Sequence, residues 1–176
     1  MDNWLEYGIH VSKRILYMGS ASNNEGEEAG VDWQMSDRVI KGLYLMTGNK
    51  PITLLINSFG GEDDHARAII AAIKTHPADV TGIVLGRAES AAAWILQCCE
   101  WRVMTSHSSI MLHLGQSPKD KHSKHLDKMF IDDVYQRMVS KNPEYPRSKL
   151  VAHVHEDWNL YPTQALELGL CDEVKK

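Results

Sequence analysis

The chain has 176 residues, enough for one domain with its own core, and 43% hydrophobic and 24% charged residues are ordinary for a globular protein. The net charge of −4 argues against a nucleic-acid-binding protein, which would carry a basic surface. The N-terminus has no signal-peptide pattern, and no apolar run reaches membrane-spanning length. The three cysteines form no disulfide framework, so we expect a reducing, cytoplasmic setting.

Predicted strands and helices alternate along the chain. Short apolar runs predict strands over 14–19, 51–57, 80–85, 101–106 and 109–114. Helical spacing of apolar residues predicts helices over about 35–47, 62–76, 119–141 and 148–156, with a further helix opening at Ser90. The unbroken apolar character of 51–57 and 80–85 is typical of strands buried on both faces. This order predicts a parallel sheet joined by right-handed crossovers, and therefore an α/β fold.

The remaining segments are expected to complete that fold. The long helix over 119–141 is polar apart from one predicted apolar stripe, formed by Leu126, Met129, Phe130, Val134 and Met138. Thr163 is expected to cap a last short helix over 164–170, and 171–174 to form a closing strand. The acidic, glycine-rich segment 20–30 is predicted to be a loop, and its sequence indicates no role.

Two loops carry the candidate chemistry, because ligands in open α/β sheets gather at the carboxyl ends of strands. The loop NSFGG contains Gly60 and Gly61, which let a backbone come close to a ligand. In GRAESAAA (86–93), Ser90 is surrounded by residues small enough to leave room for a substrate. The amide of Ala91 lies in the first helical turn, where the helix does not use it. Two amides directed at one point would form an oxyanion hole, where one good donor contributes about 10²–10³ in rate.

Each of these features also has a purely structural explanation. A serine at a helix start most often caps free backbone N–H groups, and Gly60 with Gly61 fits an ordinary strand-to-helix turn. If Ser90 is instead a nucleophile, it needs a base and a group that orients the base. Among nine histidines, His113 is distinctive because it lies in an apolar predicted strand, although core histidines bonded to a backbone carbonyl are common.

The residues alone leave the orienting acid open. Asp157 follows a predicted helix and precedes a capped turn, which does not distinguish it from the other candidates, Glu156, Asp172 and Asp133. Two histidine pairs have no carboxylate or cysteine at matching spacing; they are His122 with His125 and His153 with His155. We therefore expect solvated histidines and no metal site.

Four segments in this order, INSFGG, GRAESAAA, SIMLHL and HEDWNLYPTQALELGLCDEV, resemble the ClpP family, the proteolytic subunits of the Clp protease. The resemblance runs from Tyr7 to Val174. It implies a ClpP/crotonase-like spiral of β-α-β units, one peptidase domain over 1–176 and a projecting handle helix within about 115–145. The implied site residues are Ser90 as nucleophile, His113 as general base, Asp157 orienting His113, the amides of Gly61 and Ala91 as oxyanion donors, and Phe59, Gly60 and Leu114 at the substrate.

The resemblance also implies an activity and partners. The activity is that of an ATP-dependent-type serine endopeptidase, which hydrolyses peptides and unfolded proteins through an acyl-enzyme and needs no cofactor. Members bind substrate as an extended strand. They assemble into seven-membered rings that stack into tetradecamers, and the resemblance leaves a Clp-type AAA+ ATPase partner open. Neither nucleic acid nor a membrane is expected as a partner.

The chain departs from the family pattern at several points. Phe59 replaces a usual proline, and Ala91 and Ala92 follow Ser90 in place of the usual Met-Gly. The segment between His113 and Asp157 is shorter than usual, so the stacking of rings stays open.

Two other function classes compete with the peptidase. Acyl-CoA enzymes of the crotonase family share the fold and a two-amide oxyanion hole but have no serine triad. Non-catalytic ring subunits have lost triad residues, and none is lost here.

Overall fold

The computed structural model describes residues 4–19, 30–115 and 121–176. The predicted acidic loop lies outside these ranges except for Gly30, and so do the first two residues of the predicted helix 119–141. The strands are β1 Ile9–His10, β2 Ile15–Gly19, β3 Ile52–Ser58, β4 Val80–Glu89, β5 Trp101–Thr105, β6 Ser109–Leu112, β7 Trp158–Leu160 and β8 Glu173–Lys175. The helices are α1 Trp4–Tyr7, α2 Trp33–Leu45, α3 Asp63–Thr75, α4 Ala91–Gln97, α5 Lys121–Lys141, α6 Arg147–Val154 and α7 Pro162–Leu168.

The strands form one mixed sheet whose main path runs β1-β2-β3-β4-β5-β8. The strands from β2 to β8 along this path pair in parallel, as the alternation of strands and helices predicts, and β1 pairs antiparallel with β2. The α/β fold class is thereby confirmed.

The long strand β4 changes partner along its length. Its first half, Thr81 to Val84, pairs with β5, and its last residues, Arg87 to Glu89, pair in parallel with β6. The strand β7, which the sequence did not predict, then pairs antiparallel with β6. This fork brings the ends of β4 and β6 and the start of β7 together at one place.

The core lies between the sheet and the helices packed on it. In β3, Ile52, Leu54 and Ile56 are fully buried and alternate with half-buried residues, so the second face of this strand is only partly covered. On the helix side, Val39 and Leu43 of α2 and the three alanines Ala91–Ala93 of α4 are buried as well. The small alanine side chains let α4 lie close to the end of β4.

The predicted apolar stripe of the long helix is only partly correct. Val134 and Met138 are fully buried where α5 contacts α4, α6 and α7, whereas Met129 is 53% exposed. Helical spacing identifies a face, but it does not show how far the neighbouring elements extend along that face.

Thr163 does not cap the last helix. This helix, α7, begins at Pro162 with Tyr161 in the N-cap position, because proline lacks the N–H that the first helical residue would leave unpaired. Gly169 ends α7 in the left-handed region at φ 76. Within the described residues, no helix is long and apolar enough to cross a membrane.

Candidate active site

Ser90 occupies a sharp turn between β4 and α4. Its φ of 51 and ψ of −124 lie in a region that non-glycine residues rarely adopt, at a cost of about 1–3 kcal/mol. The turn is held on both sides: the Ser90 amide donates to Met111 O at 2.8 Å, and Ser90 O accepts from the amides of Ala93 and Trp94. Strain of this kind presents a side chain at the end of a sheet, as in the nucleophile elbow of α/β-hydrolases.

The side chain of Ser90 does not cap α4, although Ser90 stands in the N-cap position. Its Oγ instead forms a 2.6 Å hydrogen bond with Nε2 of His113. The capping explanation for Ser90 is therefore wrong, and the Ser–His contact that a nucleophile requires is present.

The register of β6 and β7 places His113 opposite Asp157. The paired residues are Ile110 with Leu160, Met111 with Asn159 and Leu112 with Trp158, so continuing this register one residue past the strands sets His113 against Asp157. Nδ1 of His113 lies 2.8 Å from Oδ1 of Asp157. The sequence predicted that His113 lies within a strand over 109–114. In the structure β6 ends at Leu112, and His113 is the next residue.

The other candidate acids are engaged elsewhere or exposed. Asp172 holds the buried guanidinium of Arg102 with both carboxylate oxygens, at 2.8 and 2.7 Å. Asp133 forms an ion pair with Lys74, and Glu156 is exposed at the surface. Of the four carboxylates that the sequence left open, Asp157 is the one in contact with His113.

The glycine loop packs directly on the Ser90 turn. A Cβ added to Gly60, which has φ +97, would lie 2.5 Å from Glu89 O, 2.7 Å from Ser90 Cβ and 3.0 Å from Ala91 N. Ser58, a buried residue that could have been an alternative nucleophile, accepts a hydrogen bond from the Gly60 amide. Glycine is required here because no side chain fits between the two loops.

The predicted oxyanion donors flank this contact. Gly61 forms a parallel bridge with Val31, in which Val31 donates to Gly60 O and Glu62 donates to Val31 O. In such a bridge the N–H of the central residue, Gly61, points away from the partner strand. Ala91 opens α4, so its amide has no acceptor within the helix. The two amides belong to the residues that directly follow Gly60 and Ser90, whose loops are in contact.

The two other residues predicted to contact substrate lie beside these groups in the chain. Phe59 is half-buried, with the Arg87 guanidinium 5.7 Å from its ring centroid. Leu114 follows His113, and its amide donates to Val154 O at 2.8 Å.

Comparison with known proteins decides the family. The family model of the Clp protease matches residues 27–176, which is most of the chain. The chain belongs to the Clp protease family.

Relatives in this family match nearly the whole chain. It is 25% identical over 178 residues to the ATP-dependent Clp protease proteolytic subunit of Deinococcus radiodurans, covering 96% of this chain and 83% of that protein. It is 29% identical to the proteolytic subunit 3 of Synechococcus sp. strain CC9605, covering 99% and 88%. A mutant of ClpP1 from Listeria monocytogenes superposes with a TM-score of 0.76 at 19% identity, covering 94% and 93%. The predicted ClpP/crotonase-like fold is confirmed.

One contact at this site was not predicted from the sequence. The indole Nε1 of Trp94 donates to the backbone oxygen of His113 at 3.1 Å. The spacing in the sequence could have indicated this residue. Trp94 lies four residues after Ser90, and residues at this spacing lie on the same side of a helix.

The cysteines take no part in this arrangement. Burial raises the pKa of Cys98 to about 11, and it also raises the pKa values of Cys99 and Cys171. These thiols stay protonated at neutral pH and are poor nucleophiles or metal ligands. Across residues 4–19, 30–115 and 121–176, no group of three or more His, Cys, Asp or Glu side chains could hold a metal ion.

Proposed function

We propose that this chain is a serine endopeptidase of the Clp type, with one peptidase domain over 1–176 and the catalytic residues Ser90, His113 and Asp157. The observation that carries the proposal is the unbroken chain of contacts, 2.6 Å from Ser90 Oγ to His113 Nε2 and 2.8 Å from His113 Nδ1 to Asp157 Oδ1. Nucleophile, base and orienting acid in this order are the arrangement that activates a hydroxyl.

The first half of the reaction forms an acyl-enzyme. Oγ of Ser90 attacks the peptide carbonyl carbon while Nε2 of His113 takes the hydroxyl proton. The carbonyl oxygen becomes an oxyanion, which accepts hydrogen bonds from the amides of Gly61 and Ala91. The C–N bond then breaks, and the imidazolium of His113 gives its proton to the departing amine. Asp157 holds the imidazole in the correct tautomer and stabilises its charged form.

The second half releases the acid product. Nε2 of His113 takes a proton from water, the hydroxide attacks the ester carbon of the acylated Ser90, and the same two amides stabilise the second oxyanion. The ester C–O bond breaks, and the proton returns from His113 to Ser90 Oγ. No cofactor is needed at any step.

The substrate in this proposal is an extended stretch of a peptide or unfolded protein. In this proposal the peptide lies between two backbone segments, the glycine loop with Phe59 and Gly60, which contacts the Ser90 turn, and Leu114 with Gly115, which follow His113. Among the described residues, no atom lies within 4 Å of a Cβ built at Gly115. Extended peptides bind such edges through main-chain hydrogen bonds.

We further propose that the chain assembles into heptameric rings, stacked in pairs through the handle helix α5, in the cytoplasm. Large apolar side chains are exposed on the single chain, among them Trp33, Tyr44, Leu45 and Met129. Contiguous apolar surface often marks a protein–protein interface, and Trp33 and Leu45 line the same surface cavity. Sedimentation should show a ring-sized particle at micromolar concentration; a monomer would contradict the assembly. The relatives are named ATP-dependent, which makes a Clp-type ATPase the partner to add in activity assays.

The decisive experiment is covalent labelling with a fluorophosphonate, followed by mass-spectrometric mapping of the modified residue. The label should appear on Ser90 and be lost in Ser90→Ala, together with peptide hydrolysis. Ser106→Ala is the matched control, because Ser106 is an exposed serine whose Oγ lies 3.0 Å from Nδ1 of His107, outside the proposed site.

The outcome also separates the competing functions. Ring assembly without any label on Ser90 would indicate a non-catalytic ring subunit. Binding of CoA thioesters without peptide hydrolysis would indicate an acyl-CoA enzyme of the crotonase type.

A further inference from the structure

Trp94 touches both the turn that carries Ser90 and the residue His113. Its backbone N–H donates to Ser90 O at 3.2 Å, and its indole Nε1 donates to His113 O at 3.1 Å. The side chain is only 4% exposed, so water competes little for the indole hydrogen bond. One buried residue therefore connects the backbones of both partners in the Ser–His contact.

His113 needs an anchor of this kind. It lies one residue beyond the last paired residue of β6, where the strand ladder no longer fixes its backbone. Its side-chain partner Asp157 has a 61% exposed side chain, so solvent competes for that hydrogen bond. The bond from Trp94 is on the sheltered side of His113.

The indole ring is itself held in place. It stacks on the ring of Phe130 in α5, with 5.2 Å between ring centroids and 19° between planes. An indole fixed by stacking on one face and by its N–H at one edge has little rotational freedom. Its hydrogen bond to His113 O therefore has a defined direction.

From these contacts we propose that Trp94 is a positioning residue that holds the backbone of His113, so that Nε2 stays within reach of Ser90 Oγ. The inference rests on the proposed function. Small displacements of a catalytic group reduce the rate of the chemical step more than substrate binding. Loss of the indole N–H should accordingly lower kcat and leave KM nearly unchanged.

The test compares Trp94→Phe with Trp101→Phe in the assembled protein. Trp101 is the matched control, since its Nε1 also donates a hydrogen bond, to Glu173 at the far edge of the sheet. We expect Trp94→Phe to lower kcat by about tenfold with KM within about twofold, and to slow fluorophosphonate labelling of Ser90 by the same factor. Trp101→Phe should match the unmodified protein in all three measurements.

A second variant keeps the proposal testable if Trp94→Phe does not fold. Benzothienylalanine at position 94 keeps the size and stacking surface of the indole but lacks the N–H donor. If Trp94→Phe fails to assemble, the benzothienylalanine variant tests the positioning role instead. We expect it to show the same loss in kcat.

Unchanged kcat and labelling rate in an assembled variant, or a raised KM with unchanged kcat, would overturn the positioning role. If the unmodified protein itself takes no label at Ser90, it is the proposed function that fails.

Discussion

Replacing Gly60 by alanine should disable the site while leaving the rest of the fold in place. Gly60 has φ +97, and the new Cβ would lie 2.5 Å from Glu89 O and 2.7 Å from Ser90 Cβ. Both are closer than Cβ atoms approach in proteins, and Glu89 O is backbone at the end of β4. The Ser90 turn must therefore move, and the amide of Ala91 moves with it.

The magnitude follows from two costs. The positive φ costs an alanine about 1–3 kcal/mol, and forcing a methyl group into a filled space costs about 1–3 kcal/mol more. We expect a loss of about 4 kcal/mol in the free energy of unfolding. Misplacing one oxyanion donor should reduce kcat by about 10²–10³.

Gly48→Ala separates the two costs. Gly48 has φ +80, but a Cβ there would meet no atom of the described residues within 4 Å. This control should cost only the backbone term, about 1–2 kcal/mol, and leave kcat unchanged. Urea unfolding at equal protomer concentration and peptide hydrolysis give both quantities for each variant. Equal stability losses in the two variants, with full activity in Gly60→Ala, would refute the packing argument.

Two further predictions concern the acid and the cysteines. Asp157→Asn should lower kcat by about 10⁴ through the wrong imidazole tautomer, whereas Asp172→Asn should lower stability and spare kcat; the reverse ranking would show that Asp157 is not the acid. Because burial raises the pKa of Cys98 to about 11, its thiolate forms only as the pH approaches that value. Iodoacetamide at about pH 7.5 should leave peptide hydrolysis intact. Rapid inactivation at this pH would show that a cysteine takes part in catalysis.

The strands and helices of the βαβ units were predictable because their signals are local. The apolar runs that became β3 and β4 and the helical spacing in α2 and α3 each depend on a few neighbouring residues. The small residues around Ser90 and the glycine pair also indicated two loops that the structure brings into contact.

The grouping of the site residues could not be read from the residues themselves. Asp157 stands beside His113 only because β6 pairs with β7, and β7 has three residues, too few for a period to show. The contact of Trp94 with His113 is likewise tertiary. The order of motifs shared with the ClpP family indicated which residues come together. Local patterns could not, because the contact depends on pairing between strands that are far apart in the chain.

The pairing of Leu112 with Trp158, next to the His113–Asp157 contact, has a consequence for how this protein can change. The chain leaves the sheet after Leu112, forms α5 and α6, and re-enters the sheet at Trp158. Both ends of this excursion adjoin paired residues, so residues can be added to or removed from its middle without altering the distance between imidazole and carboxylate. The length of the segment that holds α5 and α6 and the geometry of the His–Asp pair are therefore free to evolve separately.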